Sequence, residues 1–194
     1  MEAARNETRQ AFLDAAERLL ISHGYAEITT RRVSEEAGAN HGLVHYYFGS
    51  MEELFVQVLE RFTERILRRQ RALYASDEPF LKKWRQAMNY IDEDLAAGFP
   101  KVLFELEAMA WNRPELQSRI TKIHAEFRAM LGEAVGVAMK GYRIDARRFP
   151  PGALTALVQT FNIGLLIERL AGFREGHDEL LRMIDRWLQS LERK

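Results

Sequence analysis

Few residues in this chain are placed for covalent chemistry, and those best suited to bind something crowd between residues 29 and 48. His41 and His45 stand four apart, a spacing that sets two imidazoles on one face of a helix, as in a metal chelate. The intervening Gly42-Leu43-Val44 supplies neither the glutamate of a zincin helix nor a third ligand, so no metal is expected there. Asp92, Glu93 and Asp94 are consecutive; a helix fans them to different sides, which reads as a solvated face. Glu105 and Glu107 flank Leu106, and the expectation is a surface position, with an inward one facing a polar ligand as the alternative. No Gly-rich phosphate loop, nucleophile elbow or Ser/His/Asp order is present. With no cysteine, disulfides, Cys-ligated zinc, iron–sulfur clusters and thiol catalysis are excluded. The reading is therefore not an enzyme, with no catalytic residue, cofactor or metal.

The segment that holds these histidines has its own logic. Thr29-Thr30-Arg31-Arg32-Val33-Ser34-Glu35-Glu36-Ala37-Gly38 reads as a helix of about two turns, capped by Thr29 or Thr30, with Val33 and Ala37 on its buried face. Gly38-Ala39-Asn40 is a turn, since Gly38 suits a left-handed helix end. A second short helix, 41–47, follows at once with Val44 as its apolar brace. Two short helices across a three-residue turn make a helix-turn-helix, whose second helix can lie in a DNA major groove. An ordinary helical corner is the alternative that spacing leaves open. Such helices cannot build a core alone, so they must lean on the helices read at 7–23 and 51–70.

The rest of the chain repeats one pattern. Apolar residues recur at the helical period almost everywhere, as in Leu54, Phe55, Val58, Leu59, Phe62 and Ile66. Breakers at Asp77-Glu78-Pro79, Gly98-Phe99-Pro100, Asn112-Arg113-Pro114, Phe149-Pro150-Pro151-Gly152 and Gly172 to Gly176 separate the segments. No alternating run of β-branched residues argues for a strand. The fold class is all-α, about nine helices in total: an N-terminal three-helix head with the helix-turn-helix, and a C-terminal α-helical bundle. The 194 residues carry 28 basic and 28 acidic side chains, so no global positive field announces a nucleic acid. The N-terminus lacks the order of a signal peptide, and no stretch approaches the ~20 apolar residues of a membrane span. A cytoplasmic protein with no membrane partner is expected.

One string goes further than spacing. Phe12-Leu13-x-Ala15-Ala16-x-x-Leu19-Leu20, Gly24-Tyr25, Thr29-Thr30-x-x-Val33, Ala37-Gly38 and Gly42-Leu43-Val44-His45-Tyr46-Tyr47-Phe48, closing with Glu53-Leu54, resembles the TetR family of bacterial transcriptional repressors over residues 8–56. The body, 57–194, is similar to the family only in size, helical character and paired C-terminal helices. The resemblance implies a homodimer reading a palindromic operator, with residues 1–50 as the DNA-binding domain and 51–194 as the effector-binding and dimerisation domain. It maps a base contact to Arg31 and the recognition helix to Asn40 through Tyr47. Arg31 has the fork that reads guanine; Asn40 and His41 stand at the helix end that meets base edges. Thr30, His45 and Tyr47 carry groups suited to phosphate oxygens. Gly42 permits close backbone approach, and Tyr46 offers an apolar face to a thymine methyl or sugar. Two features depart from the family: Met51 stands where a lysine is common, leaving a phosphate contact to Ser50 or a backbone amide. The head, residues 1–50, also holds five arginines against seven acids, so affinity rests on the placement of Arg5, Arg9, Arg31 and Arg32.

The body's aromatics and methionines are core or cavity lining by type. With the resemblance, Trp84, Met88, Trp111, Phe127 and Asn162 are expected among the walls of a pocket for a small, largely apolar effector. The helix 153–171 is apolar on more than one side, with Leu157, Phe161 and Leu165 on one and Ile163, Leu166, Ile167 and Leu170 around the rest. With Leu181, Ile184, Leu188 and Leu191 of the helix 176–192 it is expected to form half of an intermolecular four-helix bundle. A ligand-responsive regulator, in the repressor sense, follows. A helical protein–protein interaction module, or a small-molecule-binding protein that has lost DNA binding, is the alternative.

Overall fold

A computed structural model describes residues 2–192, and among them every regular element is helical. The order is α1 (Glu2–His23), a 3-10 turn (Tyr25–Glu27), α2 (Thr30–Ala37), α3 (Gly42–Phe48), α4 (Met51–Ala75), α5 (Phe80–Ala96), α6 (Phe99–Ala110), α7 (Pro114–Gly141), α8 (Pro151–Leu170) and α9 (His177–Glu192). The breakers fall where the sequence reading puts them, because each ends a helix for a local reason: Gly38 takes φ 62° after α2, and Pro151 opens α8.

The chain packs as two compact units, Met1–Arg65 with Ala97–Thr121, and Ile66–Ala96 with Lys122–Lys194. The first unit buries Phe12, Leu20, Val33, Val44, Leu54 and Leu59 completely. Phe12 of α1 meets Tyr47 and Phe48 of α3 with ring centroids 6.2 Å apart, so α3 is seated by its own aromatic end. Arg61 of α4 holds Asp14 and Glu17 of α1. α6 grips the end of α1 at two points: Lys101 Nζ donates to the Ile21 carbonyl at 2.9 Å, and Glu105 accepts the Tyr25 amide at 2.8 Å. Glu105 thus faces the head backbone, where a Cβ on Gly24 would come within 2.6 Å of its carboxylate.

In the second unit Leu67 of α4 and Met130 and Leu131 of α7 form a buried cluster, with Tyr74, Phe127 and Val158 packed against it. α8 departs from its expected arrangement. Its buried residues are Thr155, Gln159, Leu165 and Arg169, while Leu157, Ile167 and Leu170 are exposed. The helix is long and apolar enough to cross a membrane by length and composition, contrary to the sequence reading. Its polar side is what the unit buries, however, with Arg169 paired to Asp92 at 2.7 Å. That pair ties α8 to α5 within the unit. On α9 the expected partner face also shifts: Leu188 is buried inside the unit, and Met183 and Trp187 are the residues left exposed.

Candidate nucleic-acid interface

The head builds its turn from short-range hydrogen bonds. Thr29 Oγ1 accepts the Arg32 amide at 3.2 Å and starts α2. Val33 packs inward at zero exposure beside Ser34, whose hydroxyl donates to the Thr30 carbonyl, and Ala37 is half-buried. Gly38 turns the chain, with nothing within 4 Å of where a Cβ would sit. Asn40 Oδ1 then accepts the Gly42 amide at 2.9 Å, which starts α3. Val44 and Phe48 are the buried side of α3.

That leaves a continuous exposed surface. Arg31, Asn40, His41, Gly42, His45 and Tyr46 are exposed, and Thr30 and Tyr47 are half-buried. Tyr46 is 61% exposed, unusual for so large a ring, and the Arg5 guanidinium of α1 lies over it 5.1 Å from the centroid. Tyr47 lies edge-on to Tyr46 at 5.1 Å and packs on Phe12, so its ring belongs partly to the core. Asn40 gives its side-chain oxygen to the turn, which leaves its amide N–H groups as the outward part. His45 Nδ1 lies 3.0 Å from the Gly49 carbonyl. A side chain at Gly42 would meet only Asn40 Oδ1, at 3.5 Å, so the fold itself does not demand glycine there.

The charges are arranged locally. Arg31 Nε donates to Glu35 at 2.7 Å, and that hydrogen bond holds the guanidinium still more firmly protonated. Arg32 lies 2.6 Å from His23, and Arg18 pairs with Glu36 at 2.8 Å. Such solvent-screened pairs hold an arginine only weakly, so a phosphate can compete for them. Beside Met51, Ser50 Oγ accepts the Glu53 amide at 3.0 Å while its hydroxyl bonds the Glu52 carboxyl. Glu52 and Glu53, which would repel a phosphate there, are held by Arg113 and Arg119. The Glu52 carboxyl lies below its usual range, through a hydrogen bond from its own backbone amide and then Arg113. Arg5, next to α3 only in the folded chain, carries no sequence signal beyond being basic.

The body residues separate. Trp84 and Met88 are half-buried one turn apart on α5, Phe127 packs on the α4–α7 cluster, and Asn162 is half-buried on α8 with Oδ1 fully enclosed. Trp111 does not join them: it ends α6 in the other unit and is 76% exposed, because Asn112-Arg113-Pro114 breaks the chain beside it. A cleft of about 260 Å³ lies elsewhere in the second unit, lined by Tyr74, Phe80, Lys83, Ala138, Tyr142 and Glu192 among others; none of the five expected residues lines it. Lys83 is buried there and caps the end of α4 through the Tyr74 and Ser76 carbonyls, at 2.9 and 2.6 Å. Burial pushes the Tyr74 phenol up to about 12.

A helix-turn-helix with its second helix exposed, on an otherwise all-helical chain, defines the class: a helix-turn-helix transcriptional regulator. The family model for bacterial regulatory proteins of the tetR family matches residues 12–58. The HTH-type transcriptional regulator YfiR of Bacillus subtilis is 29% identical over 164 residues, 81% of this chain and 76% of its own. The HTH-type transcriptional repressor NicS of Pseudomonas putida is 31% identical over 144 residues, 67% of this chain and 59% of its own. Among solved structures, a TetR-family transcriptional regulator from Rhodococcus sp. superposes with TM-score 0.73 at 20% identity, covering 93% of this chain and 97% of that one. NemR of Escherichia coli in its reduced form gives 0.72 at 18%, covering 92% and 96%. Residues 12–58 thus match the TetR-family head, and the whole chain has the fold of solved TetR-family regulators.

Proposed function

We propose that the protein is a cytoplasmic repressor that binds a palindromic operator as a homodimer and is released by a small effector. The observation that carries this is the exposed face of α3, where Asn40, His41, Gly42, His45 and Tyr46 stand clear beside Arg31 and Arg5. Thr30, Arg31, Asn40, His41, Gly42, His45, Tyr46 and Tyr47 contact DNA, the bases through Arg31 and the start of α3, the phosphates through the rest. Residues 1–50 carry that contact, and 51–194 carry effector binding and dimerisation. The name of NicS supports repression over activation.

Dimerisation runs through α8 and α9. Leu157, Ile167, Leu170, Phe173, Met183 and Trp187 are exposed on or between these helices, an apolar set that a second copy would cover. The effector contacts Trp84, Met88, Phe127 and Asn162. α4 has residues in both packing units and carries one apolar stripe from Leu54 to Ile66. An effector that favours another tilt of α4 would pull the heads out of register with adjacent major grooves, and a coupling of ~1–3 kcal/mol suffices for release.

The test is selection of DNA fragments from a random or genomic pool at two salt concentrations. Enrichment of a palindrome, with affinity falling steeply as salt rises, is the expected result, because each neutralised phosphate releases counterions. The five-to-seven excess of acids in the head favours a second reading, a helical interaction module without DNA binding. No enrichment even at low salt would establish that reading instead.

A further inference from the structure

α8 buries its polar side, and the polar atoms on it are not all matched. Thr155, Gln159 and Asn162 follow at one-turn intervals. Thr155 Oγ1 donates to the Pro151 carbonyl at 2.9 Å and is satisfied. Gln159, 94% buried, gives Nε2 to the His124 carbonyl of α7 at 3.2 Å. That bond fixes which way the amide points and leaves Oε1 enclosed with no donor. One turn on, Asn162 Oδ1 is in the same state, and so is Gln70 Oε1 on α4. Gln70 shares its helix face with Leu67 and Tyr74, which pack with Met130, Leu131 and Val158. Three amide oxygens on two helices of the second unit are therefore enclosed without a partner.

Buried acceptors are nearly always paired, and an unpaired one carries its full desolvation penalty. Apolar residues at these positions would stabilise the fold, so the oxygens call for a donor from outside the chain. We infer that the effector presents hydrogen-bond donors, hydroxyl or amine groups on an otherwise apolar frame, to Gln159, Asn162 and Gln70. This rests on the reading of the body as the effector-binding part, and narrows its ligand from apolar to donor-bearing. A carboxylate would set its lone pairs against theirs, and a hydrocarbon would leave them unmet.

Four one-ring probes separate the classes in titrations of the full chain: benzyl alcohol, benzylamine, toluene and benzoate. At least one donor probe is expected to bind about tenfold or more tightly than toluene and benzoate, the effect of roughly one hydrogen bond. Asn162→Leu should cost that probe about tenfold while toluene binds as before or better. The same variant without ligand should melt at a higher temperature, since it removes an unmet acceptor. Toluene or benzoate binding as well as the donors, donor binding indifferent to Asn162→Leu, no donor binding at millimolar concentration, or a lowered melting temperature would each overturn the inference. Should Asn162→Leu fail to fold, Gln70→Leu gives the same readings. Operator release is read separately: a donor probe that binds without weakening operator binding sinks the regulatory reading alone, whereas release by toluene alone sinks only this one.

Discussion

In the proposed function Arg31 is the residue assigned to read a base. Its guanidinium is held by Glu35 across one turn of α2, in a pair exposed on both sides. Arg31→Ala should cost ~1–3 kcal/mol at one operator position and relax the preference there, as measured by binding to operators varied base by base. Unchanged binding to the intact operator would remove Arg31 from the base-contact set. Asp94 is a second residue with a measurable signature. Burial is the larger influence on it and Arg69, at 2.7 Å, the smaller, so its carboxyl is raised from 3.8 to about 6. A raised pKa means the fold binds that proton better than the unfolded chain does. The contribution is complete below 3.8 and lost as pH rises through 6, at most about 3 kcal/mol. Glu52 and Asp185, whose carboxyls are lowered, act in the opposite sense in variant and parent alike. Melting temperature followed from pH 4 to 7 should therefore fall, relative to Asp94→Asn, as pH rises; parallel curves would show that Asp94 is not so shifted.

Among the elements, α2 is the shortest that the head depends on after α3, at 8 residues, and its start rests on one side-chain cap. Thr29→Ala should destabilise the protein by ~1 kcal/mol and weaken DNA binding further, since an α2 that frays at its start misplaces Arg31. Denaturant unfolding beside operator titration checks both; a stability loss with DNA affinity unchanged would separate the cap from the interface. These head elements were legible in the sequence because their signals are local: Thr29, Val33, Gly38 and Val44 act through residues within a turn or two. α8 was not. Its composition announces an apolar helix, but which side faces inward depends on what α5 and α7 offer, and they offer Asp92 and the His124 carbonyl. Glu105 was likewise ambiguous, since its partner amide lies 80 residues away.

At the scale of the whole molecule, the exposed apolar set on α8 and α9 is the strongest departure from an ordinary surface. Leu157 at 65% and Trp187 at 53% exposure are poor residues to leave in water. Trp187→Asp should weaken self-association by about 2 kcal/mol or more, roughly thirtyfold, as expected for a buried aromatic anchor. Sedimentation would show a shift toward half the assembled mass, and operator affinity should drop with it because each head then binds one half-site alone. An unchanged mass would place the dimer face elsewhere.

Helical periodicity, caps and breakers are properties of neighbours along the chain, so the sequence by itself determined the all-α class, the helix order, the helix-turn-helix and the head's likeness to the TetR family. Tertiary structure decided what depends on distant partners. It put Arg5 against Tyr46, turned Leu188 inward and Trp111 outward, and left the side-chain oxygens of Gln159 and Asn162 on α8 and of Gln70 on α4 without a donor. A side chain's type states which bonds it can make; only the packing of separate helices settles which of those bonds are made, and which remain for a ligand.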